Sequence, residues 1–358
     1  MKIASVVGAR PNFVKMAPIH DAILASKNDH VIINTGQHYD YELSDIFFKD
    51  FQLPKADIDL GVGSGSSCFQ IGEILKRLDI ALADIKIDIV LVYGDTNSTL
   101  AGAISANKCG LKLGHVEAGL RSFDVTMPEE NNRILTDHLA NFLFAPTKNA
   151  VRILNGEKVR GQIFYTGDVS VEIVAKAKLI ARNSNILHRL GLKRGTYLLL
   201  TMHRAANTDS KEDLLELLRA VRAVDDMEVV FPIHPRTKKA FREYGLLDQL
   251  STCKNVHLIS SVGYIDLIAL LYNATKVVTD SGGIQKEAYL LKIPCITIRD
   301  NTEWVETLTG GWNRLTGVDS RRIINAIRAN KPPVKYKATA FGEGDTSHLI
   351  SNILSSIT

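Results

Sequence analysis

An α/β protein built from two doubly wound parallel sheets facing a cleft is the fold class the sequence predicts, on three observations. Apolar runs of strand length alternate with amphipathic helical stretches along almost the whole chain. The alternation pauses in a polar-flanked helical stretch from Asp168 to about Leu190, followed by LGLKRGT, and restarts at YLLLTMHR. A length of 358 residues with 45% hydrophobic content suits two cores better than one. The predicted domains are residues 1–166 and 167–342, with a terminal helix over 343–358 packing back on the first.

Composition narrows the function classes. The net charge of +4 comes from 43 basic and 39 acidic residues spread along the chain, without the charge runs of a nucleic-acid or membrane-surface binder. Cys68, Cys109, Cys253 and Cys295 never form a CxxC pair, so neither a zinc site nor a redox pair is expected, and they read as buried free thiols in a reducing compartment. The opening MKIASVVGARP has an apolar run too short for a secretory signal or a membrane span, which reads as a cytoplasmic protein.

KIASVVG (2–8) is a buried strand, and GARPNFVKMAPIHDAIL turns into a helix with Phe13, Val14, Met16, Ile19, Ile23 and Leu24 mainly on one side. Pro11 suits the first helical position. Arg10 and Lys15 then stand around a strand-to-helix turn, either as an anion site with the helix N–H groups or as two solvated cations. HVIINTGQHYDYELSDIFF gives a second strand, a turn and a helix. The Gly/Ser-rich GVGSGSS (61–67) fails the GxGxxG spacing and follows a poor strand, so it reads as a mobile loop closing over a ligand rather than a dinucleotide site. A helix then runs to about Asp84.

IDIVLVYGDTNSTLAGAISANKCG (87–110) is strand, turn and helix, with Asp95 at the strand's carboxyl end, where Asp95 or Thr96 would also suit a helix cap. The next strand starts at Leu111 and leads to Glu117. GHVEAGLRSFDVTMPEENNR (114–133) crowds Glu117, Arg121, Asp124, Glu129, Glu130 and Arg133 into a run with almost no apolar periodicity. Pro128 marks a helix start, and acids in its first turn match the dipole, the role given to Glu130. Asp95, Glu117 and Glu129 together put three carboxylates on one rim of strand ends, where open α/β sheets bind ligands, and capping alone does not explain three.

NFLFAPT and QIFYTGD close the first half. In the second, DSGGIQKEA (280–288) is the phosphate candidate: a strand ends at Asp280, and Ser281, Gly282 and Gly283 open a helix whose backbone an oxyanion can approach, without the GK[ST] of a Walker loop. Glu287, one turn in, is a ribose contact or a solvated helix acid. His203 in TMHR and His234 in PIHP each follow an apolar strand and suit phosphate or base contacts if they face one cleft. RDNTEWVETLTGGWN (299–313) holds both tryptophans and either shapes a pocket or packs as a loop, and DTSHLISNIL (345–354) looks like a capped terminal helix.

These segments resemble the non-hydrolysing UDP-N-acetylglucosamine 2-epimerases, which have a glycosyltransferase-B-like fold of two Rossmann-like domains. GARPNFVKMAPI, TGQHYD, YGDTNSTLAGA, HVEAGLRS, PEENNRILTDHLA, TMHRAANTD, PIHPRT, TDSGGIQKEA and GEGDTSHLI have counterparts there in the same order. The resemblance implies an isomerase: UDP leaves C1 with loss of the C2 proton, giving 2-acetamidoglucal, and re-adds with the proton on the other face to give UDP-N-acetylmannosamine. By motif position, Asp95, Glu117 and Glu129 match the catalytic acids. Arg10, Lys15 and the catalytic His203 match residues near the diphosphate and sugar, and Arg133 is counted with the substrate contacts. Ser281, Gly282, Gly283 and Glu287 match phosphate and ribose contacts, and His234 a further UDP-side position. The resemblance also implies no metal, no cofactor, a UDP-binding second domain, a homodimer and a place in polysaccharide biosynthesis.

HRAAN (203–207) stands where many bacterial members have HRREN, and Tyr39 where an Arg follows QH. Those positions go with a second, activating UDP-sugar site, so a hyperbolic response to UDP-sugar is expected here. TEWVET and GWN resemble archaeal members and the branch acting on UDP-2,3-diacetamido-2,3-dideoxyglucuronate, which is the alternative substrate. A glycosyltransferase on the same fold, a hydrolysing relative and a non-enzymatic binder are further alternatives, and the carboxylate trio favours proton chemistry over all three. Tyr272 and Lys276 form a YxxxK of the short-chain dehydrogenase type, but the glycine fingerprint is missing and core packing is the expected role of Tyr272.

Overall fold

The computed structural model describes residues 1–37, 54–329 and 333–357. They form two compact units, Met1–Ile173 with Ala338–Thr358, and Val174–Lys337. The helix expected within 38–53, and Tyr39, lie outside the described residues.

The first unit is a parallel sheet of β1 (Lys2–Val7), β2 (Asp29–Asn34), β3 (Ile58–Asp59), β4 (Ile89–Tyr93), β5 (Lys112–Val116), β6 (Phe142–Ala145) and β7 (Gln162–Tyr165), in the order β3-β2-β1-β4-β5-β6-β7. The chain runs outward from β1 to β3 and then crosses to the other side of β1 for β4, so the carboxyl ends of β1 and β4 flank a topological switch point, where such sheets bind ligands. Every residue of β4 is buried, as its unbroken apolar run requires of a strand covered on both faces. The helix Asn97–Lys108 lies close on the sheet because its residues are small: a Cβ on Gly102 would come within 2.9 Å of Val92. Thr96, not Asp95, caps that helix, accepting from Thr99 N, and Ser66 caps the helix Ser67–Ala83 in the same way.

The terminal helix Thr346–Ser356 belongs to this unit and rests on the helix Arg10–Ala25, where Ser351 Oγ donates to the Ala22 carbonyl at 3.0 Å. Its own Asp345 makes no cap bond. Glu172, from the helix Ser170–Ala181, instead accepts from Ser347 N at 2.9 Å, so the cap is tertiary rather than local.

The second unit repeats the plan with β8 (Tyr197–Thr201), β9 (Glu228–Ile233), β10 (Val256–Ser260), β11 (Lys276–Thr279), β12 (Cys295–Thr297) and β13 (Asn313–Leu315), ordered β10-β9-β8-β11-β12-β13 and parallel throughout. Its switch point lies between β8 and β11. Leu214, Leu217, Leu218 and Val221, at helical spacing on Lys211–Ala223, bury against Leu198, Leu200, Val229 and Phe231, each worth about 2 kcal/mol on burial.

Local readings change at a few residues. Tyr272 is not a core residue: Lys178 Nζ stands 4.3 Å and Arg194 Cζ 5.2 Å from its ring, and these cations lower its hydroxyl pKa. Lys276 points elsewhere, donating to the carbonyls of Ala326, Ile327 and Ala329 at the end of the helix Ser320–Arg328, where a cation meets the negative dipole end. Cys68 and Cys109 are exposed and only Cys295 is buried, because the first two occupy a helix's first turn and a helix end facing solvent. Among the described residues no helix is long and apolar enough to cross a membrane, and no cluster of side chains suits a metal ion.

Candidate active site

In the first unit the expected residues gather at the strand ends beside the switch point. Gly8, after β1, approaches so closely that a Cβ there would overlap Thr35 Oγ1 and Ser98 Oγ, at 2.0 and 2.1 Å. The buried Asn12 fixes the turn: its Oδ1 accepts from Ala9 N at 3.2 Å and from Thr96 Oγ1 at 3.2 Å, and its Nδ2 donates to the Tyr93 carbonyl at 2.8 Å. Arg10 opens the helix beside it, and its side chain lies outside the described part. One turn on, Lys15 forms an ion pair with Glu117. Gly94 makes room for that pair, since a Cβ there would sit 3.1 Å from Lys15 Nζ and 3.2 Å from Glu117 Oε2.

Glu117 has φ +72°, a left-handed backbone that costs a non-glycine residue about 1–2 kcal/mol. Its N–H and that of Ala118 both donate to the Phe144 carbonyl at 3.1 Å, which holds the turn. Asp95 is about one-third exposed and accepts from Arg133 Nε at 3.0 Å and Nη2 at 2.5 Å. Glu129, in the first turn of the helix Pro128–Leu139, is half-buried.

Glu130 departs from its expected role at the helix dipole. It is 1% exposed and accepts from Ser122 N, Ser122 Oγ and Phe123 N, each at 2.9 Å, and from Arg133 Nη1 at 2.8 Å. Arg133 thus bridges Glu130 and Asp95 and turns a buried carboxylate into a brace for an accessible one. Asp137 and His115, which the sequence reading passed over, are buried below and paired at 2.7 Å. The available signal was spacing: Glu130, Arg133 and Asp137 lie three and four residues apart and share the inner face of their helix.

In the second unit Asp280, buried at the end of β11, accepts from His203 N at 2.9 Å, Arg204 N at 2.8 Å and Asn207 Nδ2 at 3.2 Å, and His203 Nδ1 lies 3.3 Å from its other oxygen. Asp280 was legible only as a strand end, since nothing local tells of a carboxylate satisfied by a segment 73 to 77 residues away. His203 and His234 come together, with ring centroids 5.7 Å apart. His234 caps the helix Pro235–Glu243, its Nδ1 accepting from Arg236 N at 3.2 Å. Ser281 caps the helix Gly282–Leu291 by accepting from Ile284 N, which leaves the earlier N–H groups without intrahelical acceptors. A Cβ on Gly283 would meet nothing nearer than Ser281 Oγ at 3.8 Å, so that turn is open, whereas Gly282 is backed by Glu303. Glu287 accepts from Tyr264 Oη at 2.9 Å. Of the tryptophan segment, Glu303 pairs with Arg299 at 3.0 Å, and Trp304 carries Lys286 Nζ 4.0 Å from its ring centroid.

The family model described as UDP-N-acetylglucosamine 2-epimerase matches residues 21–355. A Methanococcus maripaludis protein named UDP-N-acetylglucosamine 2-epimerase homolog is 47% identical over 99% of both chains. The UDP-2,3-diacetamido-2,3-dideoxy-D-glucuronate 2-epimerase of Pseudomonas aeruginosa is 38% identical over 100% of both. The crystal structure of Methanocaldococcus jannaschii UDP-GlcNAc 2-epimerase in complex with UDP-GlcNAc and UDP is 40% identical, covers 99% of this chain and 100% of that one, and matches with a TM-score of 0.92. Two Rossmann-like sheets, carboxylates at the switch point of one and an open helix N-terminus at that of the other, and a family match running almost end to end lead to one conclusion: the chain belongs to the UDP-N-acetylglucosamine 2-epimerase family.

Proposed function

We propose that this isomerase inverts C2 of UDP-N-acetylglucosamine, giving UDP-N-acetylmannosamine by elimination and re-addition of UDP. The observation that carries the reading is the group at the β4 and β5 ends: Glu117 paired with Lys15, and Asp95 braced by Arg133. The C2 hydrogen is not acidic, so cleavage of the C1–O bond leads, its electron pair going to the β-phosphate oxygen. A carboxylate then takes the C2 proton as the C1=C2 double bond forms. Return needs a proton delivered to the opposite face while UDP oxygen re-forms the bond to C1. Two faces need two proton-handling groups, and we assign them among Asp95, Glu117 and Glu129.

Lys15, paired with Glu117, supplies positive charge for the departing diphosphate. Arg133 is assigned to orienting Asp95, consistent with its burial between two carboxylates. Arg10, His203 and His234 are assigned to the diphosphate and sugar. The N–H groups at Gly282 and Gly283, with Ser281, suit a phosphate, and Glu287, oriented by Tyr264, suits ribose hydroxyls. This route draws on neither metal nor nicotinamide. A homodimer in the cytoplasm is proposed on the resemblance to the family.

Turnover in deuterium oxide tests the reading. Deuterium is expected at C2 of both UDP-sugars, and turnover without it overturns the mechanism. Running UDP-2,3-diacetamido-2,3-dideoxyglucuronate beside UDP-N-acetylglucosamine, with NMR of the products, tests the substrate. A higher kcat/KM for the uronate would reassign the chain to the alternative branch.

A further inference from the structure

Below the turns that carry Asp95 and Glu117 lies an ion network to which the reading above gives no part. His115 and Asp137 are both fully buried. His115 Nε2 meets the Gly94 carbonyl at 2.8 Å and its Nδ1 meets Asp137 Oδ1 at 2.7 Å. A carbonyl only accepts, so Nε2 carries a proton. The other oxygen of Asp137 accepts from Gly119 N at 3.1 Å and lies 2.8 Å from Arg121 Nη1. Those donors favour the carboxylate; burial alone would raise its pKa, but His115 and Arg121 outweigh burial and hold it below the usual range. Arg121 is neutralised in turn by Glu157, through Nε at 2.8 Å and Nη2 at 2.6 Å, and His138 stands 3.7 Å from that carboxylate. The buried charges are thus paired, as burial demands.

We propose that His115, hydrogen-bonded between the Gly94 carbonyl and Asp137, is a positioning residue for this active site. It ties the Gly94 turn, which leads into Asp95, to the Glu117–Gly119 turn, whose Gly119 N–H is held by the same Asp137. The charged groups on the rim served by these turns are Lys15, Glu117, Asp95 and Arg133, and those around the imidazole are Asp137, Arg121, Glu157 and His138. The clamp fixes the spacing of two of the three carboxylates assigned to proton handling, so its catalytic meaning rests on the epimerase reading.

Turnover of the unaltered protein in deuterium oxide tests the epimerase reading by itself, so a failure of that reading is distinguishable from a failure of the clamp, which is read from a variant against active wild type. The positioning role is tested with Asp137→Asn: kcat for UDP-N-acetylglucosamine is expected to fall about 100-fold with KM within about threefold, the cost of displacing a reacting group by about an ångström. Wild-type kcat, or a loss confined to KM, overturns it.

Discussion

Glu117 combines three features that rarely coincide on one side chain: a left-handed backbone, 8% exposure and an ion pair with a lysine from another element. Strain of this kind persists where the surroundings over-determine it, and here two N–H groups on the Phe144 carbonyl and the glycine at 94 do so. Glu117→Gln keeps the volume and removes the carboxylate, so epimerisation is expected to fall by about 100-fold or more with the folded state retained. Paired measurements of kcat and thermal unfolding check this, and unchanged kcat would remove Glu117 from the proton path. Glu129→Gln in the same assay separates the remaining acids: wild-type kcat would leave Asp95 as the partner of Glu117. At this scale the carboxylates and Lys15 were legible because strand ends are the address of ligand sites. Glu130 and Asp280 were not, because a buried carboxylate is recognised by donors that arrive from other segments.

The helix Pro128–Leu139 divides its work by face. Glu129 is half-buried, while Glu130, Arg133 and Asp137 turn inward and are almost fully buried. Sequence alone placed this helix by Pro128 and its acidic first turn, matched Glu129 to the catalytic acids and gave Glu130 to the helix dipole. The structure gives the inner one a tertiary task, closing the Ser122–Phe123 loop. Glu130→Ala would leave two backbone N–H groups and one valence of a buried arginine unsatisfied, for a loss of about 3 kcal/mol in denaturant unfolding. A loss below about 1 kcal/mol would mean that the loop is held by other contacts. The terminal helix teaches the same lesson, since its cap comes from Glu172 rather than from its own Asp345.

At the scale of the molecule, acid stability is set in part by the β1–β2 pair of the first unit. His30 is partly buried between Ser5 Oγ at 2.7 Å and His20 Nδ1 at 2.7 Å, and desolvation, reinforced by His20, lowers its pKa from 6.5 to about 3. Between those values the unfolded chain binds a proton that the folded chain refuses, so stability should fall as pH drops below 6.5, by up to about 1.4 kcal/mol per pH unit. Urea unfolding from pH 8 to pH 5 checks the slope, and His30→Asn should flatten it; an unchanged slope in that variant would place the acid sensitivity elsewhere. The sequence by itself determined the two-sheet plan, the segments that end at each switch point and the places of Asp95 and Glu117 at strand ends, because periodicity, turn residues and strand termini are local properties of a chain. Only the tertiary structure decided that Arg133 braces Asp95, that Glu130 is a structural acid and that His115 and Asp137 pair beneath the Gly94 and Gly119 turns. Those facts depend on which distant donors and acceptors meet in a space without water, where every buried charge must find its partner.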